Sequence, residues 1–247
     1  MKPVQFLSNS AQIDNIVKGL TLSKSLFVSA ILIGEPHTGK KTLVKTLFPK
    51  QRFIDGKNIE ELTRALDNSQ EVIIYNFEFI DNIESLNFEN KRVIAIANRV
   101  KNSSLIERKF AFIYNMPPLR EREEDIELLI DYFIKDIKKE LMIGGVVNFN
   151  FNYNNINLDD NIKSLKASIY KKLMLNNLTE TDIEQILFDY LYKEIDGNNA
   201  YREQLPLFEK PLIEAGLKKF KSQLRLSSIL GLNRNTLRKK IYELGID

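Results

Sequence analysis

The sequence contains no cysteine and one histidine, His37, among its 247 residues. The lack of cysteine excludes disulfides and thiolate metal ligands, and a single histidine excludes a multi-histidine zinc site, so no metal site is expected. The longest apolar run, LFVSAILI at residues 26–33, is far shorter than the ~20 residues of a membrane-spanning helix. The first residues show no signal-peptide pattern. The sequence therefore predicts a cytoplasmic protein without membrane contact.

Charge is unevenly distributed along the chain. Apolar residues make up 43% and charged residues 28% of the sequence, as in ordinary globular proteins, and the net charge is +3. Residues 201–247 contain ten Lys or Arg and five Asp or Glu, whereas the residues before them contain 26 and 28. Because the positive excess lies in the last fifth of the chain, we expect that segment to contact an anionic partner.

Short apolar runs alternate with helical patterns in the first half of the chain. Strands are predicted at residues 26–33, 53–55, 71–75 and 92–97, and helices at residues 40–47 and 59–66. Such alternation is typical of a parallel sheet covered on both faces. Further helices are predicted at residues 121–141, 162–175 and 179–194.

Two segments interrupt the helical second half. The Asn-rich stretch GGVVNFNFNYNNIN, residues 144–157, is predicted as an edge hairpin or a loop and receives no function. DGNNAY, residues 196–201, is the best candidate for a linker. The charge balance changes sign at the same place, which supports a domain boundary there.

The segment GEPHTGKK, residues 34–41, fits the phosphate-binding pattern G-x-x-x-x-G-K. It lies between a predicted strand and a predicted helix, so backbone N–H groups and a helix N-terminus could hold a polyphosphate. Lys41 stands where the pattern has a Ser or Thr that holds magnesium. His37 is either a sensing group within the loop or a tolerated substitution, and the second interpretation is favoured. The nucleotide-binding residues predicted here are Gly34, Thr38, Gly39, Lys40, Lys41 and Thr42.

Hydrolysis of a bound nucleotide also needs acidic residues at the end of a second strand. The strand at residues 71–75 is followed by Asn76 and Phe77, and neither side chain can activate water. Glu78 is close by, but strand alternation would turn it away from the side of Phe77. The sequence therefore allows ATP or ADP, with magnesium if bound, and argues against hydrolysis.

Residues 224–244 predict two short helices joined by a tight turn at Gly231. In the first helix Leu226, Ile229 and Leu230 are expected to face inward, and Asn233 can cap the second. The second helix presents polar and basic residues along its outer side: Arg234, Asn235, Thr236, Arg238, Lys239 and Lys240. This is the arrangement of a DNA-binding helix-turn-helix. The alternative is a solvated basic helix.

Several motifs resemble the NtrC-type bacterial enhancer-binding proteins, which are AAA+ ATPases. GEPHTGKK resembles their GESGTGKE loop, and MPPLREREEDIELL, residues 116–129, nearly matches LPPLRERxEDI. VIAIANR resembles the sensor I strand and puts Asn98 at the sensor asparagine. DNIKSL resembles GNVREL and puts Lys163 at the sensor II arginine, and Arg108 stands where the family has an arginine finger.

The carboxyl end carries a second resemblance. GLNRNTLRKKIYELGI is similar to the Fis-type helix-turn-helix of NtrC-type proteins, which implies Arg234, Thr236, Arg238 and Lys239 as DNA-contacting positions. It also implies a homodimer formed through the preceding helix, about residues 205–220. The full set of candidate DNA-binding residues is Asn233, Arg234, Asn235, Thr236, Arg238, Lys239 and Lys240.

Together the resemblances imply an α/β fold, an AAA+ P-loop parallel sheet with a helical lid, followed by an all-α Fis-type helix-turn-helix domain. The domains are predicted at residues 1–122 for the α/β core, 123–197 for the lid and 198–247 for the DNA-binding domain. Two departures concern the α/β core. The GAFTGA loop that contacts the nitrogen-class sigma factor has no counterpart, and no receiver domain is expected ahead of the core.

These features predict a sequence-specific regulator of transcription that binds double-stranded DNA and acts without the nitrogen-class sigma factor. Its AAA+ module is interpreted as degenerate, and RNA polymerase or a full-length relative are candidate further partners. Two alternatives stay open. One is an active ATPase in which Glu78 and Arg108 supply the chemistry, and the other is an interaction protein that joins the rings of a full-length relative.

Overall fold

The computed structural model describes residues 6–142 and 156–246 of the chain. The described chain divides into two compact units, Met1–Asn176 and Asn177–Asp247. Almost all of the Asn-rich segment predicted as a hairpin or loop lies outside the described residues. No helix within the described ranges is long and apolar enough to cross a membrane.

The first unit is built on a parallel sheet of five strands. The strands are β1 (Ala30–Ile33), β2 (Phe53–Asp55), β3 (Glu71–Tyr75), β4 (Arg92–Ala97) and β5 (Phe112–Asn115). Their order is β2-β3-β4-β1-β5, and every neighbouring pair is parallel. The helices are α1 (Ala11–Leu26), α2 (Lys40–Leu47), α3 (Ile59–Asn68), α4 (Ser103–Lys109), α5 (Glu123–Glu140) and α6 (Asn161–Asn176). The α/β class is confirmed.

Both faces of the sheet are buried, which explains the continuous apolar strands. On one face Ile31, Ile74 and Ala95 join a core that includes Phe77. On the other face the alternate residues, such as Leu32, join a second core with α1 and α2. Helices α5 and α6 pack on each other around a third apolar cluster. This arrangement leaves the carboxyl ends of the strands at one edge, beside the loop that follows β1.

The start of β1 differs from the sequence-based prediction. Residues 26–33 were expected to form one strand, but Leu26 is the last residue of α1 and the strand begins at Ala30. Phe27 adopts a left-handed conformation, with φ of 54°, and ends the helix. The apolar run therefore covers a helix end, a turn and a strand, and burial separates them: Leu26 and Phe27 are 56% and 41% exposed, whereas Ala30, Ile31 and Leu32 are buried.

The second unit contains four helices. They are α7 (Glu180–Glu194), α8 (Ala200–Phe220), α9 (Gln223–Ile229) and α10 (Arg234–Glu243). Ile213, Leu226 and Leu237 form its small core. Pro206 and Pro211 lie inside α8. Ile229, expected to face inward, is 51% exposed. The predicted boundary at residue 197 follows α7, whereas the division between the two compact units precedes α7, at residues 176–177.

A buried ion pair ties the loop after β1 to the start of α5. The Arg122 and Asp125 side chains are 1% and 0% exposed, and Arg122 Nη1 lies 3.3 Å from Asp125 Oδ2. Arg122 Nη2 also donates to the Thr38 carbonyl at 2.9 Å. Asp125 accepts from the Ser8 hydroxyl and from the backbone N–H groups of Asn9 and Ser10. One carboxylate thus joins the segment before α1, helix α5 and, through Arg122, the loop.

Replacing this carboxylate should destabilise the first unit strongly. Asp125→Ala leaves the Arg122 guanidinium buried without its partner, and we expect a loss of ~3–5 kcal/mol in the free energy of unfolding. Urea denaturation, monitored by circular dichroism, measures the free energy of unfolding of each variant. Glu124→Ala, an exposed neighbour in the same helical turn, is the matched control. A loss below ~1 kcal/mol for Asp125→Ala would contradict this role.

Candidate nucleotide site and nucleic-acid interface

The loop at residues 34–41 connects β1 to α2, as a phosphate-binding loop should. Gly39 has φ of 97° and is the N-cap residue of α2. A Cβ added at Gly39 would lie 2.9 Å from the Phe6 ring, so both backbone conformation and space require glycine there. Thr38 is fully buried and its hydroxyl donates to the Glu35 carbonyl at 3.0 Å. These contacts within the loop, together with the Arg122 hydrogen bond to the Thr38 carbonyl, hold the loop in shape.

Lys40 is folded into this loop. Its Nζ donates to the carbonyls of Gly34 at 2.7 Å and Glu35 at 2.5 Å, and to Asn98 Oδ1 at 3.1 Å. Burial lowers the pKa of Lys40 to about 8, while the negative charges of Glu78 and Glu35 act in the opposite direction. An incoming phosphate would have to replace these carbonyls as the acceptor of the ammonium.

Glu78 lies on the cavity side of a three-residue 3₁₀ turn, Phe77–Phe79, that follows β3. Phe77 is fully buried in the core of the sheet. The two side chains do point in opposite directions, as the sequence indicated, but it is Glu78 that faces the loop. Asn98 Nδ2 donates to Glu78 Oε1 at 2.7 Å, and Glu78 Oε2 is buried without a hydrogen-bond partner.

Asn76, at the end of β3, is engaged elsewhere. Its Nδ2 donates to Asp55 Oδ1 at 2.9 Å, and its backbone is left-handed, with φ of 56°. Asp55 also accepts a hydrogen bond from the Tyr75 hydroxyl. The Lys41 Nζ lies 3.5 Å from the centroid of the Tyr75 ring. Beside the loop, the strand end therefore presents an aromatic face that carries an ammonium group.

These residues line a cavity of about 970 Å³, which is large enough for a nucleotide. Predicted residues that the structure brings together here are Thr38, Gly39, Lys40, Lys41, Thr42, Asn76, Glu78, Asn98 and Lys163. Gly34 lies just outside the lining, with its carbonyl on Lys40. Arg108 is not part of the lining and pairs with Glu84 at 3.4 Å.

Helix α6 closes the other side of the cavity with residues that the sequence did not single out. Ile162 and Tyr170 of α6, with Phe133 of α5 beside them, supply apolar surface, and Lys166 and Lys171 of α6 supply charge. Their signal was present only as helical spacing on α6, which is equally typical of a core helix.

Three charged contacts lie where the loop meets the start of α6. Arg120 makes two hydrogen bonds to the Glu35 carboxylate, at 2.9 and 2.6 Å, and the Asn161 amide adds a third at 3.1 Å. The hydrogen bonds from Arg120 and Asn161 lower the pKa of Glu35 to about 2. Asp160 lies 2.9 Å from Lys163 and 3.7 Å from His37. Sequence reasoning named neither Glu35 nor Arg120.

The second unit presents the predicted DNA-contacting residues on α10. Asn233 caps this helix by accepting from the N–H of Asn235 at 2.8 Å, and Gly231, with φ of 63°, provides the turn after α9. The exposed side chains are Asn233, Arg234, Asn235, Thr236, Arg238 and Lys239.

Lys240 behaves differently from the rest of the predicted set. Its Nζ lies 2.6 Å from Glu209 Oε1, and both side chains are mostly buried. Helical spacing places Lys240 on the flank of α10 that meets α8, so the ammonium group holds the two helices together.

Comparison with known proteins supports both parts of this description. Residues 204–244 match the family model described as bacterial regulatory protein, Fis family. Over 167 residues the chain is 29% identical to the DNA-binding transcriptional regulator NtrC of Azospirillum brasilense, covering 53% of this chain and 34% of the relative. Over 177 residues it is 27% identical to a putative NtrX-like response regulator of Rickettsia typhi, covering 61% and 37%. The chain spans about a third of the length of these relatives.

Among solved structures, NtrX from Brucella abortus in complex with ATP superimposes with a TM-score of 0.51. The superposition covers 98% of this chain and 70% of the other, at 14% identity, so it shows the fold alone. Together these matches show that the chain is similar to NtrC-type bacterial regulators over somewhat more than half of its length, and that residues 204–244 form a Fis-family segment.

Proposed function

We propose that the chain is a sequence-specific transcription regulator whose helix α10 contacts double-stranded DNA. The observation that carries this proposal is the exposed basic side of α10, set by a tight turn against α9 within the segment that matches the Fis family. A second helix placed in this way enters the major groove of DNA. Arg234 and Arg238 are suited to bidentate contacts with guanine, and Lys239 to phosphate.

The structure divides the basic residues of α10 into two groups. Arg234, Arg238 and Lys239 extend into solvent, and Lys239 is held only by an exposed contact of 3.6 Å with Glu243. Lys240 is paired with Glu209 of α8. We therefore assign Lys240 to the stability of the second unit and leave the others for DNA.

Arg238→Ala should weaken specific DNA binding by ~1–3 kcal/mol and relax sequence preference, because a bidentate contact to a base is lost. Fluorescence anisotropy on promoter DNA recovered by genome-wide mapping, repeated across a salt series, measures both effects. Arg202→Ala, at an exposed arginine near the start of α8, is the matched control. Unchanged affinity and specificity would remove Arg238 from the interface, and a flat salt response would argue against phosphate contact.

We also propose that the second unit forms a homodimer. Helix α7 buries none of its residues, although Ile186 and Phe188 are among its large apolar side chains. Phe208 and Leu212 on α8 are also exposed. Apolar surface of this kind on two adjacent segments is suited to a second copy of the chain, and a dimer would place two α10 helices on successive half-sites.

Phe208→Ala should weaken the dimer at least ~10-fold, because an aromatic side chain buried at an interface is worth more than ~1.4 kcal/mol. Sedimentation velocity over a concentration series gives the dissociation constant. Lys210→Ala, two residues away and also exposed, serves as the control. Equal dissociation constants for both variants would place the dimer surface elsewhere.

For the first unit we propose binding of ATP or ADP in the cavity beside the loop. The loop conformation, the buried Lys40 and the size of the cavity support it. The NtrX protein of Brucella abortus was crystallised with ATP, which is the same ligand class. No segment of this sequence corresponds to the GAFTGA loop, and only residues 42–70 separate the phosphate loop from β3, so we propose action without the nitrogen-class sigma factor.

Hydrolysis is the second candidate function, and one observation favours it. Glu78 brings a carboxylate into the cavity, with one oxygen buried and unpartnered. Arg108 lies outside the lining, and Asn76 is bound to Asp55. Phosphate release that requires both Lys40 and Glu78 would establish this activity, and its absence with magnesium and DNA present would dismiss it.

Nucleotide affinity should fall as the pH rises above about 8. Burial lowers the pKa of Lys40 to about 8, so the free site carries the full ammonium charge below that pH and loses it above. Phosphate binds the charged form of Lys40 and raises this pKa. The nucleotide affinity should therefore be constant below about pH 8 and should decrease above it. Calorimetry with ADP checks the profile. Lys40→Met should bind weakly at every pH, whereas Lys45→Met should keep the wild-type profile, and a level profile to pH 9.5 in the wild type would contradict the role of Lys40.

A further inference from the structure

The cavity lacks the hydroxyl next to the loop lysine and the strand-end carboxylate that hold magnesium at a phosphate-binding loop. Magnesium is held there by the hydroxyl that follows the loop lysine and by one or two carboxylates, together with the phosphates. In this chain the first position is Lys41 and the strand end is Asn76. The Asn76 amide is already bound to Asp55. The described residues contain no group of three or more His, Cys, Asp or Glu that could hold a metal.

Lys41 places a positive charge at the same point of the site. It lies in the first turn of α2, directly after Lys40, and its ammonium group lies 3.5 Å from the centroid of the Tyr75 ring. Tyr75 is the last residue of β3, and both side chains line the cavity. The negative face of the ring attracts the ammonium and keeps it at the wall of the cavity, next to the loop.

The charges around the cavity are mostly positive. Five lysines line it, and Glu78 is the one carboxylate in the described lining. Lys163 is paired with Asp160 and Lys166 with Asp136, so their charge is partly neutralised. Lys40 and Lys41 lie at the loop itself, where a polyphosphate would lie. A divalent cation entering here meets two ammonium groups, whereas a polyphosphate anion finds two direct partners.

We propose that the cavity binds a nucleoside diphosphate or triphosphate without magnesium, with the Lys41 ammonium group supplying the charge that the metal supplies in other phosphate loops. This inference rests on the proposed nucleotide site and specifies how that site neutralises the phosphates. It places Lys40 and Lys41 on the phosphates from two sides, with Tyr75 as the support of Lys41. The alternative is that the cavity binds magnesium through Glu78 Oε2, a buried carboxylate oxygen without a hydrogen-bond partner, which is a potential metal ligand.

The test is calorimetric titration of the full chain with ADP, once with excess magnesium and once with excess EDTA. Binding should be no tighter with magnesium than with EDTA, because magnesium that complexes the ADP phosphates in solution competes with the two ammonium groups. Lys41→Ala should weaken binding at least ~10-fold in both conditions, whereas Lys45→Ala, an exposed lysine in the same helix, should not. Circular dichroism of each variant confirms that it is folded. The double variant Lys41→Thr, Asn76→Asp should bind ADP more tightly with magnesium than with EDTA.

Three results would overturn the inference, and they are distinguishable. If magnesium tightens ADP binding by the wild type about 10-fold or more and Glu78→Gln removes the effect, the metal is held through Glu78 and the nucleotide site stands. If the wild type binds ADP in neither condition, the nucleotide site is lost together with the inference. Wild-type-like binding by Lys41→Ala would also overturn it, because the charge of Lys41 would then have no part in holding the phosphates.

Discussion

The buried pair of Arg122 and Asp125 is the contact on which the candidate nucleotide site depends. Burying two charges is costly unless they are paired and hydrogen-bonded, and here nearly every polar atom of the pair is used. Through it the Thr38 carbonyl is fixed to the first turn of α5, and the segment before α1 is fixed to the same carboxylate. The loop that holds Lys40 is therefore shaped by a distant helix as well as by its own glycine.

The cavity and helix α10 use positive charge in different ways. In the cavity, the Lys40 ammonium is buried and bound by loop carbonyls, so a ligand must compete with contacts that already exist. On α10, the side chains of Arg234, Arg238 and Lys239 are exposed and ready for a large anion. The first arrangement favours a small ligand that matches the loop in shape, and the second favours an extended polyanion.

Much of the fold was predictable because its pattern is local. The bounds of α2, β2, β3 and β4 agree with the predicted segments, since each is an uninterrupted apolar or helical pattern between turn residues. The predicted start of β1 was wrong because Phe27, in a left-handed conformation, divides the apolar run. Helix α4 and strand β5 were not predicted; β5 alternates between half-buried and exposed residues and has no continuous apolar run.

The sequence by itself determined the phosphate-loop pattern, the lysine pair within it and the polar side of α10, because each depends on the spacing of neighbouring residues. The tertiary structure decided which partners these groups have. Glu78 faces the cavity because a 3₁₀ turn follows β3. Lys240 forms an ion pair because α8 carries Glu209, and Arg120 binds Glu35, which lies 85 positions earlier in the chain. Such contacts join residues far apart in sequence, and local spacing carries no information about them.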